Sequence, residues 1–399
     1  MRDFSIIIQQ YYNSTMHKEI TMAGSSFGKN ITVTTWGESH GPALGAVLDG
    51  CPAGISLDAS DIQKFLDRRK PGTSAVTTAR KEDDSVELLS GIFEGKTTGT
   101  PISMMIRNTS QHSGDYGNLV NTFRPGHADY CFDTKFGIRD YRGGGRSSGR
   151  ETAARVAAGA VAMKILNELG ITIHAVTASI GDIAVPAPVL DALSENEEGI
   201  NISLSNSVVM PDSNIASVAE ALIKKCREEK DSIGGSVYCF VKGMPAGIGD
   251  PVFDKLDAKL SQALFSIGAV KAVEIGNGIE ASKKRGSENN DPIRCDSTGK
   301  VTFSTNNSGG ILGGISNGDL IKIHAYFKPT PSVYRPQDTI KKNPDGSYEN
   351  TELEIEGRHD PVIVPRAVVV VECMTALTVL DALLDNIGSR MEHLKKIYG

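Results

Sequence analysis

The chain has 399 residues, 39% of them hydrophobic, a formal net charge of −6 and a pI near 5.8. That length can bury a large core, and the acidity argues against general nucleic-acid binding, so an anionic ligand must be met by a focused basic pocket. Six cysteines (Cys51, Cys131, Cys226, Cys239, Cys295 and Cys373) are scattered without a CxxC pair, which fits a reducing compartment and a cytoplasmic protein.

Residues 1–21 precede Met22, the third methionine of the chain, and are set apart as an N-terminal extension of unassigned status. Residues 22–390 read as one domain, followed by a tail at 391–399. Neither a secretory signal nor an apolar run of about 18 residues is read in the chain, so no membrane partner is expected. Residues 31–36 alternate as a strand should and run into GESHG at 37–41, leaving His40 at a strand end. A helix is predicted over 58–69, with Ile62, Phe65 and Leu66 on one face; Pro71 and Gly72 end it. Arg68, Arg69 and Lys70 then stand where cations complement the negative helix terminus. A strand near 101–107 follows. Ser148 and Glu151 have the spacing of a capping box and open an alanine-rich helix ending near Gly170.

Beyond it the pattern predicts strands near 171–180, 235–242, 319–327 and 362–371. Helices are predicted at 214–230, at 251–266 with Pro251 in the first turn, and at 372–396. The polar segments 282–300 and 336–356 read as mobile loops. Helices and strands mix without a βαβ rhythm, so the fold class is α+β with antiparallel pairing.

Chemistry concentrates between Arg124 and Arg155, where seven basic residues (Arg124, Lys135, Arg139, Arg142, Arg146, Arg150, Arg155) face four acidic ones (Asp129, Asp133, Asp140, Glu151). Gly143, Gly144 and Gly145 precede the helix start, whose unpaired N–H groups favour an anion. Arg146 and Arg150 could grip phosphate or carboxylate there. A solvated, ordinarily capped basic turn explains the same spacing, and an RGG-like nucleic-acid segment is disfavoured because the pattern occurs once. His127 and Cys131 lie at i, i+4 without further ligands, so no metal is expected. HExxH, Walker A and GxGxxG motifs are absent from the sequence.

Four blocks, GESHGPALGAVLDGCPAGI from Gly37, RPGHADYCFDTKFGIRDYRGGGRSSGRETAARVAAGA from Arg124, NNSGGILGGISNGD from Asn306 and GRHDP from Gly357, together resemble the chorismate synthase family in order, spacing and content. DRRKPGTS and FKPTPS fit as well, and the likeness spans roughly 22–390. It implies an α/β sandwich with helices between antiparallel sheets, usually a homotetramer. It also implies anti 1,4-elimination of phosphate from 5-enolpyruvylshikimate 3-phosphate to give chorismate, the last common step of aromatic amino-acid biosynthesis, with reduced FMN. NADPH is a candidate reductant of that flavin, and a separate flavin reductase is the expected partner.

By that resemblance His127 protonates the departing phosphate, His40 serves the reduced flavin, and Asp360 takes part in removing the ring proton. Taken singly, either histidine could be a packed core residue and Asp360 a loop carboxylate paired with Arg358. The resemblance assigns FMN to Arg146, Ser147, Ser148, Gly268, Ala269, Gly313, Lys328, Pro329, Thr330, Pro331, Ser332 and Arg358. Substrate or NADPH falls to Ser39, Arg69, Arg124 and Arg150. Where many relatives carry a basic residue this chain has Ala75, with Arg80 or Lys81 as candidate replacements. A silent flavin- or phosphate-binding homologue is the alternative class, against which the presence of His40, His127 and Asp360 counts.

Overall fold

The computed structural model describes residues 24–70, 72, 83–109, 117–355 and 360–399. Two five-stranded sheets organise them. The first runs in spatial order Ser26–Phe27, Thr32–Gly37, Ala43–Asp49, Ile102–Arg107, Val86–Leu88. The second runs Val270–Ile275, Ile321–Phe327, Gly235–Lys242, Thr172–Ile180, Ile183–Ala184. Every pairing described within them is antiparallel.

Helices fill the space between the sheets. Thr152–Glu168 packs on strands 32–37, 43–49 and 102–107 of the first sheet, while Val364–Asp385 packs on 172–180 and 235–242 of the second; Ala59–Arg69 lies against both helices. The two long helices approach closely because one is rich in alanine and carries Gly159, where an added Cβ would meet Cys373 Cβ at 2.2 Å. The result is the α+β sandwich expected from the sequence, one continuous core reaching from Ile31 to Ala382.

Several local expectations are corrected. Residues 362–371, with their run of valines, are not a strand but the beginning of the Val364–Asp385 helix. That helix is buried on nearly every side, so it has no polar stripe to reveal its 3.6-residue period, and β-branched content misleads. The helix read at 372–396 is its second half and a separate helix, Met391–Tyr398. Extended to Gly388, the core helix is long and apolar enough by length and composition to cross a bilayer, with 89% of its most apolar stretch buried inside the protein. In the sequence Arg366, Glu372 and Asp381 interrupt that run. Glu372 is taken up by Arg68 at 2.7 and 3.0 Å and by the Ala175 N–H at 2.9 Å, and Asp381 accepts the N–H groups of Lys29, Asn30 and Ile31.

The helix placed at 251–266 starts only at Leu256, whose N–H is held by Gly314 O, so Pro251 lies outside it. Residues 282–300 contain helical turns and one arm of the Ile293–Cys295/Val301–Phe303 hairpin, and within the stretch read at 336–356 lies the Gln337–Lys342/Tyr348–Leu353 hairpin. Two-stranded, solvent-facing ribbons need little apolar content, which is why both segments read as loops. The strand Ala43–Asp49, central in the first sheet, and the helix Asp129–Phe136 were not anticipated.

Candidate active site

The glycine turn is where separate motifs meet. Gly143, Gly144 and Gly145 all have positive φ (63°, 100° and 54°), a backbone path that L side chains resist. A Cβ on Gly143 would stand 2.3 Å from His40 Cε1, and one on Gly144 would stand 3.0 Å from both Cε1 and Nε2 of His127. The two histidine rings therefore rest on adjacent glycines. GESHG and RPGHAD, far apart in sequence, are brought together by the turn that precedes the Thr152–Glu168 helix.

His40 is 5% exposed at the end of the first sheet's 32–37 strand; its Nδ1 is 3.1 Å from Ser39 Oγ. Arg146 fixes this strand end from across the turn, donating to Gly37 O at 3.1 Å, Thr35 O at 3.2 Å and Thr35 Oγ1 at 2.7 Å. Asn108, just past the 102–107 strand, donates to Glu38 O and Gly41 O and accepts from Arg150 Nε at 2.9 Å. Ser147 Oγ donates back to Gly144 O at 2.8 Å and locks the turn. Ser148 Oγ accepts from the Arg150 N–H, as an N-cap should, but the capping box does not close: Glu151 pairs with Arg155 at 2.8 Å, and a 3₁₀ turn, Gly149–Glu151, precedes the helix proper.

His127 sits in a denser electrostatic setting. Its Nδ1 is 2.9 Å from Asp129 Oδ1, and that carboxylate also receives the backbone N–H of Arg124 at 3.1 Å and its Nε and Nη2 at 2.7 and 2.8 Å. Burial alone would raise the Asp129 pKa, but the Arg124 and His127 donors hold it far below the usual carboxylate range. For His127, burial pushes the pKa down; Asp129 draws it up while Arg124 and Lys328 oppose, and the balance lies below the ordinary histidine value. The 337–353 hairpin braces this segment: Thr339 Oγ1 donates to Phe123 O at 2.5 Å, Lys342 Nζ reaches Asp133 at 2.6 Å, and Tyr348 packs on Phe123 and Tyr130.

Lys328 joins the second sheet to the site. Its Nζ donates to Gly126 O at 2.9 Å, its N–H to Ala269 O at 3.0 Å, and Pro331 lies beside Gly126. Thr330 Oγ1 donates to Asp360 O at 2.9 Å, and the Asp360 carboxylate is gripped by Arg366, whose Nε also holds Arg69 O at 3.1 Å. Gly268 and Ala269, the latter at φ 75°, follow the Leu256–Phe265 helix at this same end. Gly313 does not join them. It sits beside Gly314 at the start of that ten-residue helix, about 15 Å away along its axis. Arg358, Ala75, Arg80 and Lys81 lie outside the described residues.

Of the anion-binding candidates, Arg124 commits its Nε and Nη2 to Asp129. Arg69 and Arg150 converge on a residue the sequence reading missed, Asp84, 2% exposed and at φ 48°. Arg69 donates to Asp84 Oδ2 at 3.1 and 2.7 Å and to Gly149 O and Thr152 Oγ1, while Arg150 Nη1 takes Oδ1. Burial, only partly offset by Asp84, lowers Arg69 to about 10, still a cation at neutral pH. Burial opposes ionisation of Asp84, but the two guanidiniums outweigh it and keep its pKa low. Asp84 and Arg366 carried no sequence signal beyond their polarity, and Asp129, though inside the RPGHAD motif, carried none for its pairing with Arg124 and His127.

Comparison with known proteins decides the family. The chorismate synthase family model matches residues 31–384. The chain belongs to the chorismate synthase family. It is 55% identical over 377 residues to a chorismate synthase of Lachnoclostridium phytofermentans, covering 94% of this chain and 100% of that one. It is 51% identical over 365 residues to one from Methanocella arvoryzae, covering 92% and 95%. A solved chorismate synthase crystal structure superposes with a TM-score of 0.73 at 32% identity, covering 93% of this chain and 96% of that one. The chain is accordingly an enzyme of the lyase class, and its family belongs to the aromatic amino-acid pathway.

Proposed function

We propose that the chain converts 5-enolpyruvylshikimate 3-phosphate to chorismate by anti 1,4-elimination of phosphate, with reduced FMN as cofactor. The observation that carries this reading is the meeting of His40 and His127 on Gly143 and Gly144, beside the Arg124, Lys328 and Asp360 segments. An elimination of this kind needs an acid for the leaving phosphate and a base for a weakly acidic C–H, held on one substrate.

The residues around the turn suit a flavin phosphate and ring. Lys328 lies beside Ala269 and Gly126, next to His127, and Ser147 locks the Gly144 turn on which that ring rests. Gly313 would reach such a group only from elsewhere, at the far end of the Leu256–Phe265 helix. Reduced FMN, when bound, supplies electron density that assists departure of the phosphate. His127 delivers a proton to the leaving phosphate oxygen; His40 holds a proton toward the cofactor; Asp360, oriented by Arg366, accepts the ring proton. Lys328, with Arg124 behind His127, provides positive charge for the anions.

Anaerobic turnover with chemically reduced FMN, following chorismate absorbance and phosphate release together, tests this. Equal amounts of both products are expected; flavin binding without either product would favour a silent homologue. We take the flavin to be reduced by a separate protein, so NADPH with oxidised FMN alone gives no sustained NADPH oxidation.

A further inference from the structure

We propose that Asp129 is the positioning residue of His127: it fixes the neutral ring as the Nδ1–H tautomer and so turns Nε2 toward the reaction. The inference rests on the lyase reading and names how its acid is held.

Two neighbours of Nδ1 ask for opposite protonation. Arg124 Nη2, at 3.2 Å, could only donate to it, whereas Asp129 Oδ1, at 2.9 Å, could only accept from it. The carboxylate prevails, because an unprotonated Nδ1 would set its lone pair against a carboxylate oxygen at the shorter distance. One of the two Arg124 Nη2 protons already goes to that same oxygen, at 2.8 Å, shorter than its 3.2 Å approach to Nδ1. Asp129 cannot turn away. Three Arg124 donors hold it, it is 3% exposed, and Arg139 faces it at 3.5 Å.

Arg139 is itself pinned. Its Nη2 donates to Leu119 O and Thr122 O, its guanidinium lies 5.0 Å over the Phe123 ring, and its buried Nε and Nη1 have no hydrogen-bond partner among the described residues. The charged groups facing His127 are thus Asp129 and Arg124 from its own segment and Lys328 from the second sheet, with Arg139 standing behind Asp129. On the edge away from Nδ1 the ring rests on Gly144, where an added Cβ would stand 3.0 Å from both Cε1 and Nε2.

The proton bookkeeping is consistent with this tautomer. The imidazolium carries protons on both nitrogens; the Nε2 proton passes to a phosphate oxygen as the C–O bond breaks. The ring returns to the neutral Nδ1–H form that Asp129 already stabilises. Asp129 stays ionised throughout, orienting and charging the ring without itself transferring a proton.

The test uses the full-length protein labelled with ¹⁵N-histidine, with the His127 signal assigned by its loss in His127→Gln. The neutral ring is expected as the Nδ1–H tautomer in the wild type. In Asp129→Asn its titration midpoint falls by about one pH unit or more, the scale for losing an adjacent opposite charge. The alkaline limb of kcat moves down with it, while KM for the phosphate substrate stays within about 3-fold. An Nε2–H tautomer in the wild type, or an unmoved midpoint in folded Asp129→Asn, would overturn the proposal. The wild-type tautomer decides the matter even where Asp129→Asn does not fold. Absence of turnover in the wild type would instead overturn the lyase reading, since the NMR arm does not depend on activity.

Discussion

Asp84 and Asp129 occupy the same kind of place and do different work. Each is a buried carboxylate clamped by cations near the glycine turn, and each has its pKa driven down by them. Around Asp84 both partners are arginines, Arg69 and Arg150, whose charge does not change in the working pH range. Around Asp129 one partner is His127, whose charge can. The first cluster therefore reads as a fixed joint, tying the Ala59–Arg69 helix to the start of the Thr152–Glu168 helix, and the second as an adjustable one. A carboxylate between cations becomes a chemical device only when one of those cations can give up its proton.

The contrast can be broken most forcefully at Asp84. Asp84→Ala would leave two buried guanidiniums without a counter-charge, and a stability loss of about 3–5 kcal/mol is expected in urea unfolding. A loss below about 1 kcal/mol would mean that water or another acid already serves them. Next is Gly143→Ala, which places a side chain at φ 63° and 2.3 Å from His40 Cε1. The left-handed backbone costs about 1–2 kcal/mol, and displacement of the ring should lower turnover by roughly 100-fold. Gly149→Ala, six residues on, has open space at its Cβ and no positive φ, so its stability should change by less than about 1 kcal/mol.

Titration sharpens the comparison with the smallest effect. Burial holds His127, His174 and His324 below the ordinary histidine pKa, so the unfolded chain takes up protons that the fold resists. Stability should therefore begin to fall as pH drops through about 6.5. The depressed carboxylates Asp84 and Asp129 contribute stability that is kept above about pH 4 and lost below it. Urea midpoints at several pH values would resolve the two ranges. His127→Gln should flatten the upper one, and Asp84→Asn should leave the pH profile of turnover unmoved.

What could be read from the sequence follows from periodicity. The strand at 321–327 and the 59–69 helix stand out because the burial of the first alternates and that of the second runs along one face, while 235–242 and 172–180, buried over most of their length, stand out as short apolar runs. The Val364–Asp385 helix does not, since a helix buried all round carries no stripe, and its valines argue for a strand. The 337–353 hairpin was hidden for the opposite reason: it is polar because it is exposed, yet it supports Phe123, Asp133 and Tyr130 under the site. Within the site, His40, His127 and the glycines were legible as motifs. That the glycines receive the two rings was not, because contacts between residues 103 and 17 positions apart, outside any regular element, leave no local trace. Asp129 lay inside a motif but its partnership with His127 is geometry, and Asp84 lay in a stretch with no motif at all.

The central claim is that the ring resting on Gly144 is the acid of the elimination. The most direct measurement is phosphate release by His127→Ala under anaerobic single-turnover conditions with reduced FMN. Substrate affinity is measured in parallel. The account predicts a rate at least about 100-fold below wild type, the scale for losing a general acid, with substrate still bound. A near-normal rate in a folded His127→Ala would contradict it.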